Sequence, residues 1–544
     1  MGNSGGMKNM TLDGMMTMDV GNNTGQIFQS NMDSIAEVKV LTSNFQAEYG
    51  RNAANINVIT KTGTQDFHGG AYTYYRHESL NANNFFNNRS GVQRPVYRYR
   101  ITGYTIGGPI YIPGKFNSNR DKLFFFFSQE LTGTKTNWGT FLSWMPTELE
   151  RKGDFSNSRD VNGQIIPIKD PTTGQQFADN MIPSTRLNKY GQAIMSILPA
   201  PNYTDPNPGN QYRYNYRTSL STGYPRRQEV LRADYNISPT LRFYYRLINY
   251  TDEKTLPLGN WMVGNQNFPL YNGVASIPGR GHVWSLTQTF TPTLINDLTV
   301  GVNRGNVLAW AADQSEVSRS RMGNIPQWFT HERNSQIEPD TMPDVLFGSV
   351  PAAPANIQKN GIPYRNINRN LSIVDNLSKV WGKHMFKFGV MAEKIWKGDP
   401  NSNPTNIYGT FNFSRDINNP FDTGHSYANA LVGVFQSYSE DNHRDRGDTQ
   451  AWSYEWYLQD NWRVTSRLTL DIGLRMSWWT PGTESAGKQY SMVLANYDQS
   501  KMPAMYVPAI DPSGRRVAQD PRTGAYAPAP LIGLFVPNSG DPFY

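Results

Sequence analysis

Apolar and polar residues alternate strictly in several segments of this chain, and the polar positions often carry formal charges. The clearest example covers residues 467–475, where the apolar positions are Leu468, Leu470, Ile472 and Leu474 and the others are Arg467, Thr469, Asp471, Gly473 and Arg475. A period of two predicts a β-strand with one apolar and one polar face. The pattern therefore favours an all-β fold built from antiparallel hairpins.

The same alternation recurs along most of the chain. It predicts a partner strand at 452–459, in which Trp452, Tyr454, Trp456 and Leu458 alternate with Ser453, Glu455 and Gln459. It also predicts hairpins at 228–251, 284–303 and 371–396 and single strands at 69–77, 98–110 and 122–132. This amounts to about a dozen strands with short turns between hairpin partners.

Long segments rich in Pro, Gly and Asn separate the hairpins, notably residues 135–225, 306–366 and 480–544. Within the first, residues 187–198 place Leu187, Tyr190, Ile194, Ile197 and Leu198 on one face of a predicted helix. Short turns alternating with long loops are typical of outer-membrane barrels, whose outer loops are long. We interpret 135–225 as a lid that faces a ligand or, equally, as a structural cap.

Charges in mid-strand leave two interpretations of the hairpins. In a soluble sandwich the charged faces would meet solvent and the apolar faces would meet each other. In a membrane barrel the apolar faces would touch lipid, and the charged faces would line a wet interior. Trp and Tyr on the apolar faces, and strands close to the length that a membrane needs, favour the barrel.

Composition agrees with a wide barrel and argues against several other classes. Aromatic residues make up 13% of the chain and charged residues 17%, yet the mean hydropathy is −0.59. The net charge of +7 is scattered, so we expect no nucleic-acid partner. The chain has no cysteine and seven histidines, none of them paired at metal-ligand spacing. We expect no enzyme activity, no catalytic residue, no cofactor and no metal.

Residues 34–61 predict a strand, a turn and a second strand. Val38 and Val40 alternate with Glu37 and Lys39, which predicts a half-buried strand. Gly50 occupies the turn, because glycine reaches backbone angles closed to other residues. Residues 55–61 predict the second strand, and residues 1–33 are interpreted as irregular loops.

Three groups of motifs in this region resemble a known family. Glu37-Val38-Lys39-Val40, Tyr49-Gly50 and residues 56–61 resemble the C-terminal half of the plug domain of TonB-dependent outer-membrane transporters. Residues 66–69, 104–109 and 119–126 resemble the barrels of the Oar-like subgroup. Many plugs of the family carry Arg-Gly-Pro where this chain has Thr42-Ser43-Asn44.

The resemblance implies a large antiparallel transmembrane β-barrel, incomplete here, with part of an N-terminal plug domain inside it. Residues 1–63 would be the C-terminal part of the plug, and residues 64–544 the N-terminal portion of the barrel. No signal peptide is visible, so we expect a fragment that lacks the signal, the TonB-contacting segment and the first half of the plug. The implied location is the bacterial outer membrane.

The implied function is TonB-dependent active transport of an unidentified ligand, such as a siderophore, an oligosaccharide or a peptide. The implied partners are the TonB energy-transducing complex, the lipid bilayer and lipopolysaccharide. The implied gating residues are Glu37, Val38, Lys39, Val40, Tyr49, Gly50, Arg51, Asn57 and Lys61. Among these, Arg51, Lys39 and Lys61 would pair with inward carboxylates such as Glu130 or Glu455. The alternative is a non-transporting adhesin or binding protein built as a barrel or a sandwich.

Overall fold

The computed structural model describes residues 8–19, 26–42, 45–50, 54–89, 91, 93–257, 272–329, 340–348, 350–359, 362–399, 406–441, 447–485, 487 and 493–540. The chain divides into two compact units, Met1–Ala486 and Gly487–Tyr544. The first unit contains a small N-terminal sheet, a large antiparallel sheet and a cluster of packed loops. None of the helices among the described residues has the length and hydropathy needed to span a membrane.

The small sheet has four strands in the order β2-β1-β4-β3. Its strands are β1 (Lys8–Leu12), β2 (Met15–Met16), β3 (Ile35–Leu41) and β4 (Ala54–Thr60). β1 and β4 run parallel, whereas the other two pairs are antiparallel. The strand–turn–strand prediction for residues 34–61 is confirmed by β3 and β4. The prediction of irregular loops throughout residues 1–33 is wrong, because β1 and β2 form a hairpin there.

The large sheet contains fourteen strands, and every pairing in it is antiparallel. Its main strands are β5 (His68–Arg76), β6 (Tyr97–Pro109), β7 (Leu123–Ser143), β8 (Tyr216–Ser238), β9 (Leu241–Asp252), β12 (Gly279–Thr291), β13 (Leu294–Ala311), β15 (Tyr364–Trp381), β16 (His384–Asp399), β19 (Gly447–Arg463) and β20 (Thr469–Trp479). Its short strands are β10 (Lys254–Leu256), β11 (Gly273–Ser276) and β21 (Thr483–Glu484).

The main strands pair with their neighbours in sequence, from β5 at one edge to β20 at the other. Over the described residues the sheet therefore stays open and forms no closed barrel. All the predicted hairpins are confirmed, with two-residue turns after β8, β12 and β15. Gly382 in the turn after β15 has φ +59°, as hairpin turns of this length require.

The two faces of the large sheet differ in a way that a soluble sandwich does not allow. On β19, Glu455 is 3% exposed and Ser453 is buried, whereas Trp456 and Leu458 are 43% and 57% exposed. We call the buried polar side the inner face and the exposed apolar side the outer face. Burying charge while exposing large apolar side chains is the reverse of what water favours. This arrangement is the one predicted for a wall between lipid and a polar interior.

Three long loops leave the large sheet at the end opposite its short turns and pack together. They form the cap, which comprises the described parts of residues 144–215, 312–363 and 406–441. Its core includes Phe155, Ile168, Met322, Phe347 and Tyr427, all fully buried. The predicted loops at 135–225 and 306–366 are long connections, as expected, but their bounds are wrong. β7 continues to Ser143 and β8 begins at Tyr216, while β13 continues to Ala311 and β15 begins at Tyr364. The shorter connections that remain share a hydrophobic core.

Regular elements in the cap are few and short. They are the helices α2 (Glu148–Arg151), α3 (Lys189–Ile197) and α4 (Ser426–Val432) and the strands β14 (Asp344–Leu346), β17 (Thr410–Asn412) and β18 (Ser437–Ser439). α3 confirms the predicted helix, and the Asn188 side chain caps it by accepting from the backbone N–H of Tyr190 at 2.9 Å. One more helix, α1 (Phe85–Arg89), lies between β5 and β6.

The second compact unit carries a small antiparallel sheet of its own. Its strands are β22 (Val507–Ile510), β23 (Arg516–Gln519) and β24 (Tyr526–Ala527), paired in that order. These strands lie inside the segment 480–544, which was predicted as loop. The prediction missed them because each has only two to four residues, too few for a period of two to be visible.

Candidate functional site

The inner face of the large sheet is covered by the described residues of the N-terminal segment, which we define as residues 8–63. Hydrogen bonds, ion pairs or close approaches join this segment to β7, β8, β9, β12, β13, β15, β16, β19 and β20. Nine neighbouring strands would extend about 38 Å across a flat sheet, whereas four strands extend about 14 Å. The large sheet must therefore curve around the segment.

The strongest contact is made by Asp13, at the turn between β1 and β2. Its carboxylate accepts from the Arg246 guanidinium of β9 at 3.0 Å and from the backbone N–H of Thr60 at 2.9 Å. Arg232 of β8 lies 3.6 Å away. Arg246 also donates to the carbonyl oxygen of Leu12 at 2.9 Å. We call this group the Asp13 anchor; the side chains of Asp13 and Arg246 are 2% and 0% exposed, and that of Arg232 is 9% exposed.

Local sequence explains how the anchor is presented. Asp13 and Gly14 have φ of +50° and +82°, the positive values that a tight two-residue hairpin needs. Glycines on the inner face then allow close approach of the segment. A Cβ added to Gly301 would lie 2.3 Å from the Met15 sulfur, and one added to Gly281 would lie 2.7 Å from the Phe28 ring. Larger residues at these positions would push the segment off the wall.

A second set of contacts joins the segment to β13, β15 and β16. Asn303 donates to the carbonyl oxygen of Met16 at 2.6 Å. The Asp19 carboxylate accepts from the Lys397 ammonium at 2.8 Å and from the Asn368 amide at 3.1 Å. These contacts are polar, so a sheet face lined with Asn and Lys is matched by acidic and carbonyl groups of the segment.

The third contact is made by residues 46–50, which we call the Tyr49 turn. The backbone N–H of Ala47 donates to Gln459 at 2.8 Å, and Arg475 donates to the carbonyl oxygen of Ala47 at 3.0 Å. The same Arg475 forms an ion pair with Glu455 at 2.7 Å. Lys387 of β16 pairs with Glu48 at 2.8 Å. The turn is thus held by side chains of three wall strands.

A cavity of about 310 Å³ lies between the Tyr49 turn and the wall. Charged side chains of Glu393, Glu455 and Arg475 line it from the wall, and Tyr49 and Asn57 line it from the segment. A cavity of this size with charged groups in its lining has room for several water molecules. The segment is therefore not closely packed against the wall on this side.

Several predicted gating residues lie around this cavity. Tyr49, Gly50 and Asn57 line it, and Gly50 has φ +83°, as its turn role predicts. The Lys39 ammonium donates to the Tyr49 hydroxyl at 2.6 Å, and this hydrogen bond raises the pKa of Lys39 above its usual value. Lys61 is exposed.

The remaining predicted site residues are placed differently from the expectation. Val38 and Val40 are 50% and 57% exposed, so the apolar side of β3 is not buried as predicted; β3 is an edge strand of the small sheet. Glu37, beside them, is exposed as well. Arg51 lies outside the described residues.

The two predicted carboxylate partners are buried and engaged with residues of the wall. Glu130 accepts from the Tyr72 hydroxyl at 2.9 Å, and Glu455 accepts from Arg475. Arg475 in turn donates to the Ala47 carbonyl oxygen of the segment, so Arg475 links Glu455 to the segment. The gating role of the named residues stays a prediction.

Sequence reasoning overlooked Asp13, Asp19, Glu48, Arg246 and Lys397. A usable signal existed for the first: Asp-Gly between apolar Leu12 and Met15 is a strong hairpin signal. No comparable signal marks the others, because their partners lie hundreds of positions away in the chain. Among the described residues, no group of three or more His, Asp or Glu side chains is placed to hold a metal ion.

Comparison with known proteins gives a family and several similar folds. A family model described as "Outer membrane beta barrel domain" matches residues 59–529. The outer membrane transporter YddB from Escherichia coli is 10% identical, with a TM-score of 0.48, and the match covers 87% of this chain and 49% of that one. The siderophore receptor PirA from Acinetobacter baumannii is 12% identical, with a TM-score of 0.46 and coverage of 87% and 50%.

A variant of the ferric enterobactin receptor PfeA from Pseudomonas aeruginosa is 10% identical, with a TM-score of 0.45 and coverage of 87% and 50%. The chain spans about half the length of these three proteins. No curated protein matches it. Since the family model covers most of its length, the chain belongs to the outer membrane beta barrel domain family and lies in the bacterial outer membrane.

Proposed function

We propose that this chain is part of a TonB-dependent transporter that takes up a ligand across the outer membrane. In this proposal the N-terminal segment is the C-terminal part of a plug, and residues 64–544 supply the N-terminal portion of the barrel that surrounds it. TonB would engage a part of the full-length protein that precedes the described residues. The ligand class stays open among siderophores, oligosaccharides and peptides.

One observation carries the proposal: a polar inner face occupied by a separate folded segment, behind an apolar outer face. Arg246 is fully buried and Glu455 nearly so, while Trp456 and Leu474 on the outer face are 43% and 61% exposed. An outer face of this kind suits lipid. A passive pore would leave its inner face to water, whereas here ion pairs and hydrogen bonds hold a plug-like segment against it.

The proposed movement is a release of residues 37–61 from the wall. The Tyr49 turn borders the cavity, so the segment has space on that side. Breaking the Glu48–Lys387 pair and the Arg475–Ala47 hydrogen bond would free the turn from β16 and β20. Glu48 and Arg475 border the cavity, and the Glu48–Lys387 pair is partly exposed, so breaking this pair costs little.

A disulfide across this interface tests the proposal, and the chain has no cysteine of its own to interfere. A Cβ on residue 473 would lie 3.1 Å from the Ala47 Cβ, close to the separation in a disulfide. The full-length A47C/G473C variant should lose TonB-dependent uptake of labelled siderophores, oligosaccharides or peptides when oxidised. Reduction should restore uptake.

The matched control is Q459C/G473C, which uses the same glycine but joins two wall strands, since the Gln459 Cβ lies 3.3 Å from that position. It should transport equally well oxidised and reduced. Uptake that is identical with and without TonB, or an oxidised A47C/G473C variant that transports normally, would contradict the proposal. Binding of a ligand without any uptake would favour the non-transporting binding protein.

A further inference from the structure

Three arginines lie side by side on the outer face of the large sheet. Arg280 of β12 is directly opposite Arg304 of β13, and Arg304 is directly opposite Arg369 of β15. All three side chains are exposed. Their sequence neighbours Gly281, Asn303 and Asn370 belong to the inner face, where they contact the N-terminal segment. The arginines therefore point away from the segment and form what we call the arginine row.

An anionic partner would stabilise such a row. Directly opposite side chains on antiparallel strands have Cβ atoms about 5 Å apart, and like charges in these positions repel. In the part of the chain that the structure describes, none of the three arginines forms an ion pair. Among these residues, the only hydrogen bond from one of the three arginines to a side chain is that from Arg280 to the Asn249 amide oxygen at 3.3 Å.

Further along the same line of directly opposite residues, a charged side chain is neutralised by other residues of the chain. Glu229 of β8 stands in line with Asn249 of β9, which is the direct partner of Arg280. Its carboxylate accepts from Asn249, from Gln129 and from Arg227. Glu229 is thus already engaged and lies two strands from Arg280, so no carboxylate among the described residues is placed to neutralise the arginines.

The position of the row along the strands fits a membrane boundary. Toward the short turns, the next outer-face residues are His282, Val302 and Leu371, and an exposed apolar band with Trp284 and Ile373 follows. Arg369, within β15, and Trp381, at the end of β15 next to the short turn, are 12 residues apart. In a strand tilted by about 45° this separation corresponds to about 29 Å of height, close to the hydrocarbon thickness.

Aromatic and basic side chains extend the row on β16 and β19. Trp396 is directly opposite Arg369. The Lys394 ammonium lies 4.5 Å from the centre of the Trp396 ring and 5.3 Å from that of Trp452. Rings at the headgroup level and cations just beyond the apolar band are features of a lipid-headgroup boundary. The long-loop end, where the row lies, faces outward in barrels of this class.

We propose that the arginine row binds the phosphate groups of a phosphorylated lipid of the outer leaflet, with the acyl chains lying against the apolar band below it. Arginine suits this partner because its planar fork donates two parallel hydrogen bonds to a phosphate. The phosphates would relieve the mutual repulsion of three adjacent guanidinium groups. The inference rests on the outer-membrane location and not on the proposed transport.

Lipid A with two phosphates is the probe, and the full-length protein in detergent is the sample. R304Q removes the central charge and should weaken binding of lipid A several-fold; R280Q/R304Q/R369Q should abolish it. Lipid A lacking one phosphate should bind more weakly to the unaltered protein. The matched control is R227Q, an outer-face arginine paired with Glu229, and it should bind lipid A normally.

Binding that is unchanged in R304Q and in the triple variant would overturn the proposal, as would equal loss in R227Q. The same unchanged binding is the result expected if the row instead serves an acidic protein. Heat-modifiability on gels verifies that each variant is folded, and R304Q carries the test if the triple variant is not recovered. Uptake is measured separately, because its loss or retention reports on transport alone.

Discussion

The N-terminal segment is held to the wall at two places that differ in burial. At the Asp13 anchor, the carboxylate is 2% exposed and its partner Arg246 is fully buried. At the Tyr49 turn, the ion pair of Lys387 and Glu48 is 24% and 20% exposed. A buried pair is costly to break because it leaves a charge without water, whereas a partly exposed pair contributes little. The segment is therefore fixed on one side and loosely attached on the other.

The packing beside the two contacts also differs. A cavity borders the Tyr49 turn, where Glu393, Glu455 and Arg475 form its wall side, and it extends to Gly14 and Met16 of the β1–β2 hairpin. At the anchor, by contrast, Leu12, Ile27 and Phe28 pack with Val230 and Ile248 in a small apolar core. Close apolar packing opposes sliding, whereas an unfilled cavity leaves room for it. We expect movement of the plug-like segment to begin at the Tyr49 turn.

The sharpest test compares disulfides placed at the two sides. A Cβ on residue 301 would lie 3.3 Å from the Met15 Cβ, so M15C/G301C can lock the anchor side as A47C/G473C locks the turn side. The turn-side lock should abolish uptake by the full-length protein, and the anchor-side lock should leave it. If both disulfides blocked uptake equally, the whole segment would have to leave the wall during transport, and the proposed difference between its two sides would be wrong.

The next largest effect is expected from D13N, which removes the anchor's negative charge with little change in shape. Arg246 and Arg232 would then share a buried site without their carboxylate, at a cost of about 3–5 kcal/mol. Hydrogen exchange at the Thr60 amide, which donates to Asp13, should accelerate by about two to three orders of magnitude. The control is K387Q at the other side, which should leave exchange at Thr60 unchanged.

R475Q should have an intermediate effect, confined to the Tyr49 turn. It removes the hydrogen bond to the Ala47 carbonyl and the charge-assisted one to Glu455, together worth about 1.5–3 kcal/mol. A cysteine placed at residue 47 should then react faster with a water-soluble maleimide, and one at residue 15 should not. Equal acceleration at both positions would mean that the two sides are coupled.

The smallest effect is expected from K387Q. Its pair with Glu48 is partly exposed, so its loss should cost less than about 1 kcal/mol. Maleimide reactivity at residue 47 should rise by a few-fold at most, and E48Q should behave in the same way. An effect as large as that of D13N would indicate that this pair is a second anchor.

The strands of the large sheet and the turns between hairpin partners were predictable from the sequence, because alternation is a local property that each hairpin shows by itself. The strand ends next to the long loops were not: β7 runs to Ser143 instead of 132, and β8 begins at Tyr216 instead of 228. The assignment of faces followed from it: Trp456 outward and Glu455 inward on β19 is what the residue order requires. The hairpin of β1 and β2 could also have been recognised from Asp13-Gly14. The cap could not, since its core joins three loops that are irregular when examined singly.

The partners of the charged residues were beyond sequence reasoning. Asp13 and Arg246 are 233 positions apart, and Ala47 and Gln459 are 412 apart. The predicted use of Lys39 illustrates the difficulty, since Lys39 donates to Tyr49 of the turn that follows β3 instead of to a wall carboxylate. The place of a residue in the alternation shows whether its charge faces inward. Many charged residues face inward, however, and only their positions in the folded protein determine which of them pair.

By itself, the sequence determined that this protein forms two-faced strands, which of their faces is charged, and where the hairpins turn. The tertiary structure decided which charges meet, because the curvature of the sheet around the N-terminal segment brings distant strands to a common surface. It also decided that the segment is held unequally at its two sides, a property of burial that no single strand carries. Local periodicity determines which face of the sheet a side chain lies on, whereas its burial and its partners depend on how the whole unit packs.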